Sequence, residues 1–94
     1  MISVIIVNHN YKKYIDKCFR SVLKNNSNLI KEIIIIDDSS LQDNKNYIFK
    51  KYKKIKKVKL YNVKFKNLSK TLNFAINKAT GKWIFKLDYL KIYF

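Results

Sequence analysis

Two adjacent carboxylates and two hydroxyls follow a run of four isoleucines in the segment Lys31–Ser40. β-Branched residues favour a strand, and a strand that is apolar on both faces is typical of the middle of a covered parallel sheet. Ligands bind beyond the carboxyl ends of the strands in such sheets, so the group Asp37-Asp38-Ser39-Ser40 is a candidate site. Carboxylates there could accept hydrogen bonds from a base or a sugar, or hold a divalent cation beside a diphosphate. The alternative is an ordinary turn between a strand and a helix.

Polar residues also follow other segments that are predicted to be strands. The apolar run Ile2–Val7 ends in Asn8-His9-Asn10, where Asn10 can cap a helix, and the predicted strand Lys82–Leu87 ends at Asp88. The carboxyl ends of parallel strands share one edge of a sheet. We therefore expect these strand ends, together with the acidic group and the region of Asn62, to line one cleft.

Helical patterns separate the strands. Paired apolar residues at i, i+4 spacing predict a first helix from about Tyr11 to Lys24. Ser40 and Asp43 have the spacing of a capping box, which predicts the start of a second helix. Gly81 stands where a left-handed residue would end a third helix.

The alternation of these elements defines the predicted fold class. The third helix covers the apolar stripe from Leu68 to Ala79, and a short strand is predicted at Val58–Tyr61. The order β-α-β-α-β-α-β has connections long enough for parallel crossovers. We expect an α/β fold with a parallel sheet, in one domain over residues 1–94.

Several familiar chemistries fit the candidate site poorly. The turn Asn8-His9-Asn10 lacks the glycines of a dinucleotide-binding or phosphate-binding loop. A receiver-like signalling domain has its acid pair after the first strand, whereas here the pair follows the second. His9 and Cys18 are too few for a zinc site, and Ser39, His9 and Asp38 lack the nucleophile elbow of a hydrolase.

The charge balance indicates a basic protein without a specific nucleic-acid partner. The 94 residues carry a net charge of +15, but Arg20 is the only arginine and the lysines are scattered, apart from a cluster in the segment Lys50–Lys57. Sequence-specific readers of nucleic acid depend on arginine forks. Cys18 is the only cysteine, so no disulfide is expected. No signal peptide or membrane span is predicted, and the expected location is cytoplasmic.

Taken together, four segments resemble the N-terminal half of a family-2 glycosyltransferase. They are Ser3-Val4-Ile5-Ile6-Val7-Asn8-His9-Asn10, Ile35-Ile36-Asp37-Asp38-Ser39-Ser40, Leu68-Ser69-Lys70 through Asn73, and Asn77-Lys78-Ala79-Thr80-Gly81-Lys82-Trp83-Ile84 with Leu87-Asp88. The resemblance covers residues 1–88. It implies a three-layer, Rossmann-like GT-A half-domain with strand order 3-2-1-4. It also implies that the chain is the nucleotide-sugar-binding half of a truncated enzyme.

The resemblance also assigns roles to residues. It implies that Asp38 contacts the base and that His9 replaces an aromatic residue near it. The implied nucleotide-binding residues are Asn8, His9, Asn10, Asp37, Asp38 and Ser39. A family arginine is replaced by Leu72. Asp88 matches the first acid of a metal-binding Asp-x-Asp motif, for which the family uses Mg²⁺ or Mn²⁺, but the second acid is missing.

The activity implied is transfer of a hexose from a nucleotide-diphosphate sugar, commonly a UDP-sugar, to an acceptor hydroxyl. The acceptor-binding half and its catalytic base have no counterpart, so no catalytic residue is assigned and the chain alone is expected to be inactive. Further expectations are a role in cell-surface polysaccharide biosynthesis and peripheral association with the inner membrane surface. The alternatives are a non-catalytic basic module that binds nucleotides or polyanions, and a remnant without function.

Overall fold

Strands and helices alternate along the chain, as the sequence patterns predict. The computed structural model describes residues 1–26 and 28–87. Asp88 and the residues after it lie outside the described part. The elements are β1 (Ile2–Asn8), α1 (Lys12–Asn26), β2 (Ile30–Asp38), α2 (Gln42–Tyr52), β3 (Val58–Val63), α3 (Leu68–Lys78) and β4 (Trp83–Leu87).

The four strands form one parallel sheet in the order β3-β2-β1-β4. This confirms the α/β class, the parallel sheet and the strand order 3-2-1-4 of a Rossmann-like GT-A half-domain. The register aligns Asn8 of β1 with Asp37 of β2 and Asn62 of β3. The polar residues at the ends of these three strands therefore lie at one edge of the sheet.

Strand β2 is apolar on both faces because helices cover both sides of the sheet. Ile33 and Ile35 pack into a core that α1 and α2 close, whereas Ile34 and Ile36 pack into a second core with Ala75 of α3. All four isoleucines are almost completely buried. Burying one such side chain contributes about 1.5–3 kcal/mol, so β2 is the centre of the fold.

The helix starts differ from the local sequence signals. Asn10 does not cap α1; its side chain accepts a hydrogen bond from the backbone N–H of Leu41, at the start of α2. Likewise, Ser40 and Asp43 do not form a capping box, because Leu41 precedes α2 without any side-chain cap. The Ser40 hydroxyl instead accepts a hydrogen bond from the backbone N–H of Asn10, at 2.7 Å. Contacts between distant segments thus replace the local caps.

Gly81 has a role other than the predicted left-handed helix end. No glycine of the described residues has a positive φ, and Ala79 caps the C-terminus of α3. A Cβ at Gly81 would lie 2.6 Å from both the backbone nitrogen and the hydroxyl of Ser3. Glycine is needed there because the chain passes directly over β1, where the Gly81 N–H donates to Ser3 Oγ at 2.7 Å.

The described helices include none whose length and apolar character would suit a membrane span.

Candidate functional site

A cavity of about 520 Å³ opens at the carboxyl edge of the sheet. The end of β1, the turn after β2 and the connection between β3 and α3 form its walls. The volume is in the range of sites for small molecules and cofactors. The lining residues are Val7, His9, Asp38, Ser39, Lys66, Asn67 and Leu68.

Asp38 is the centre of hydrogen bonding in this cavity. One carboxylate oxygen accepts bonds from the backbone N–H of Lys66 and from the hydroxyl of Ser39, both at 2.9 Å. The other accepts from Thr71 Oγ1 at 2.7 Å and from the backbone N–H of Asn67 at 3.3 Å. Asp38 therefore fastens the connection between β3 and α3, which forms one wall of the cavity, to the end of β2.

The same contacts keep Asp38 ionised. Burial raises the pKa of the Asp38 carboxyl, but the hydrogen bonds from Lys66, Thr71, Ser39 and Asn67 outweigh it and hold the pKa below its ordinary value. A carboxylate has about four acceptor positions, and four donors already occupy them. A ligand N–H must therefore displace one of these donors. The Ser39 hydroxyl can be displaced, because it is a side-chain group and can rotate away from the carboxylate.

His9 lies in the cavity wall, and its ring is anchored to the backbone. Its Nδ1 donates a hydrogen bond to the main-chain oxygen of Asp38 at 2.7 Å. A carbonyl oxygen can only accept, so the proton lies on Nδ1, and Nε2 is the acceptor in the neutral ring. The contact holds the imidazole against the backbone at the end of β2.

Three other predicted site residues lie at the same edge but do not line the cavity. Asn8 is fully buried, and its amide donates to Asp37 Oδ1 at 2.9 Å and to Asn44 Oδ1 at 2.8 Å. The other oxygen of Asp37 accepts from the backbone N–H of Ser40. Asn10 bridges to the start of α2. These side chains join β1, β2 and α2 behind the cavity, and their direct contact with a nucleotide stays a prediction.

The sequence did not single out the third wall of the cavity as a site. Lys66 and Asn67 line it through a connection in which Lys66 has a φ of 52°. One local signal was present, because Asn67 precedes the apolar stripe of α3 and its side chain caps that helix by accepting from the Lys70 N–H at 3.0 Å. Leu72, which replaces the expected arginine, packs on the core beneath α3.

The metal prediction falls outside the described residues, since Asp88 is not among them. Within residues 1–26 and 28–87, no three His, Cys, Asp or Glu side chains form a group that could hold a metal ion. The expected Mg²⁺ or Mn²⁺ stays a prediction for Asp88.

Comparisons with known proteins agree with this architecture. The sequence model of the family described as Glycosyl transferase family 2 matches residues 3–89. The chain is 37% identical over 93 residues to MG060, an uncharacterized glycosyltransferase of Mycoplasma genitalium, covering 93% of this chain and 31% of that protein. The fold of this chain resembles the crystal structure of S. aureus TarS 1–349, with a TM-score of 0.75 and 26% identity. The match covers 93% of this chain and 26% of the TarS chain. The chain thus spans about a third or less of the length of these relatives.

Proposed function

Because this chain belongs to glycosyltransferase family 2, we propose that the cavity around Asp38 binds the nucleotide of a nucleotide-diphosphate sugar, specifically a UDP-sugar. One observation supports this most strongly. A single ionised carboxylate, Asp38, both lines the cavity and holds the connection between β3 and α3, which forms one of its walls, in place. A charged acceptor in a partly enclosed site suits recognition of a base N–H.

Different lining residues are proposed to contact different parts of the ligand. The base donates to Asp38 after the Ser39 hydroxyl has turned away, and the His9 imidazole packs beside it. Lys66 is the one lysine or arginine that lines the cavity in the described part of the chain, so it offers positive charge to the diphosphate. No step of the proposal depends on a metal ion.

The complete reaction is transfer of the sugar to an acceptor hydroxyl, which needs a general base. All five described carboxylates, Asp16, Glu32, Asp37, Asp38 and Asp43, accept hydrogen bonds within the fold. Asp43 is also exposed on α2 and does not line the cavity. We therefore expect these 94 residues alone to bind the donor without transferring its sugar. Measurable release of UDP from a UDP-sugar by the purified chain would contradict this expectation.

The proposal extends to the cellular setting. We place the donor-binding domain in the cytoplasm, at the inner membrane surface, in the synthesis of a cell-surface polysaccharide. The net charge of +15 supports attraction to an anionic membrane surface. If charge holds the protein at the membrane, it should be released from isolated membranes more readily at high salt than at low salt. Equal release at the two salt concentrations would contradict this placement.

The net charge also supports a second candidate, a basic module that binds nucleotides or polyanions without catalysis. Lysine-driven binding weakens steeply as the salt concentration rises, whereas a contact through one pocket carboxylate does not. In a remnant without function, no nucleotide would bind at any salt concentration.

The test compares Asp38→Asn with Asp43→Asn, which makes the same charge change on an exposed residue of α2. We expect Asp38→Asn to weaken UDP binding about tenfold or more, because it removes a charged acceptor, and Asp43→Asn to change it less than about twofold. Isothermal titration calorimetry measures the affinities, and circular dichroism shows whether each variant is folded. Equal effects of the two substitutions, or a steep salt dependence in the wild type, would favour the polyanion-binding module.

A further inference from the structure

A second cavity, of about 340 Å³, lies at the opposite end of the sheet, where β2 and β3 begin. Its lining consists only of charged residues, namely Lys31, Glu32, Lys56, Lys57 and Lys59. Four lysines and one carboxylate give this lining a formal charge of +3. We call the four lysines and the space between them the lysine pocket.

Glu32 cannot neutralise this charge, because its carboxylate is already committed. One oxygen pairs with Lys59 Nζ at 2.6 Å. The other accepts from Ser3 Oγ at 2.6 Å and from both the N–H and the hydroxyl of Thr80. Burial raises the pKa of Glu32, but the bonds from Lys59, Ser3 and Thr80 outweigh it and lower the pKa to about 2. Glu32 is thus a fixed anion that offsets one lysine of the pocket.

Two of the other lysines are held in place by main-chain carbonyls. Lys31 Nζ donates to the carbonyl of Thr80 at 3.3 Å, and Lys57 Nζ donates to the carbonyl of Ile30 at 2.9 Å. A carbonyl positions an ammonium group through one of its three donors. The lysine pocket therefore gathers positive charge in a partly fixed arrangement.

We propose that the lysine pocket binds a multiply charged phosphate group, either as a free diphosphate-type anion or as the phosphate of a lipid headgroup. Lysine binds phosphate as a point charge, without the planar fork that carboxylates share with arginine. The pocket is near the lower size limit of ligand sites, and all its lining residues carry charged groups, so it suits a small anion better than a nucleoside. The proposal does not depend on the donor site, which lies at the other edge of the sheet.

The test titrates the full chain with pyrophosphate and compares two double variants of equal charge. Lys31→Gln with Lys56→Gln removes two lysines of the pocket, whereas Lys13→Gln with Lys17→Gln removes two exposed lysines of α1. We expect the pocket variant to weaken pyrophosphate binding about tenfold, and the α1 variant less than about twofold. Thermal unfolding checks that both variants fold.

Vesicles distinguish the two sources of the phosphate. Phosphatidylcholine vesicles doped with phosphatidic acid present a phosphomonoester, and vesicles doped with phosphatidylserine carry anionic charge without one. Pocket-dependent binding of pyrophosphate supports a free anion, and pocket-dependent binding only to phosphatidic acid supports a headgroup. The proposal would be overturned if the chain bound neither pyrophosphate nor the phosphatidic acid vesicles. It would also be overturned if the two double variants lost equal affinity, because the lysines would then act only through their summed charge.

Discussion

At the residue scale, Asp38 links the fold to the proposed function. Its carboxylate accepts four hydrogen bonds, two of them from backbone groups of the connection between β3 and α3. A polar side chain that only ended a strand would not need this arrangement. Asp38 thus lines the cavity and also holds one of its walls in place. Substitutions of Asp38 are therefore expected to affect both the structure and the binding of a ligand. This is why the Asp43→Asn control and a folding assay accompany its test.

Glu32 gives a residue-scale prediction about acid stability. Its pKa is lowered from 4.5 to about 2 in the folded chain, so its stabilising contribution is fully present above pH 4.5 and is lost as the pH falls towards 2. We expect Glu32→Gln to reduce the free energy of unfolding at pH 7 by on the order of 3 kcal/mol, and by much less near pH 2. Urea denaturation across this pH range measures the difference. A Glu32→Gln loss that is equal at both ends of the range would refute the electrostatic explanation.

At the scale of the elements, the apolar and polar patterns predicted the order of strands and helices. The isoleucines of β2 marked a strand that is buried on both faces, and the structure places one core on each side of it. The strand order came from the family resemblance, because periodicity alone does not say which strands are neighbours. Local patterns failed at the starts of α1 and α2. Ser40 and Asn10 are engaged by groups about thirty residues away, which no local spacing reports.

The site was predictable only in part for the same reason. His9, Asp38 and Ser39 were predicted and do line the cavity. Lys66 was missed because the hydrogen bond that ties it to the site is made to Asp38, which is 28 residues away in the sequence, and isolated lysines are common in this basic sequence. Asn8 carried a polar signal at a strand end, but its side chain is used inside the fold.

Gly81 tests the close approach between β1 and the connection from α3 to β4. Gly81→Ala should destabilise the fold by about 1–3 kcal/mol, because a Cβ cannot fit against the backbone nitrogen of Ser3 without a shift. The expected fall in melting temperature is roughly 4–24 °C for a domain of this size. Ser69→Ala, on the exposed surface of α3, is the control. A melting temperature for Gly81→Ala equal to that of the wild type would contradict the steric explanation.

At the scale of the whole molecule, charge and chemistry are divided between the two ends of the sheet. The carboxyl edge carries the cavity around Asp38, and the opposite end carries the lysine pocket. The chain spans about a third or less of the length of the relatives that it matches. The proposed transfer of the sugar therefore requires parts of the protein that these residues do not provide. We propose donor binding as the part of the activity that the chain shows alone.

The central claim is that the carboxyl edge of the sheet binds the nucleotide of the donor. Titration of the ¹⁵N-labelled chain with UDP, followed by backbone amide spectra, tests it most directly. We predict saturable shifts concentrated at the amides of Ser39, Lys66 and Asn67, with those of Lys31 and Glu32 unchanged at concentrations that saturate the first group. Absence of saturable shifts at the cavity, or shifts spread over lysine-rich segments in proportion to their charge, would contradict the claim.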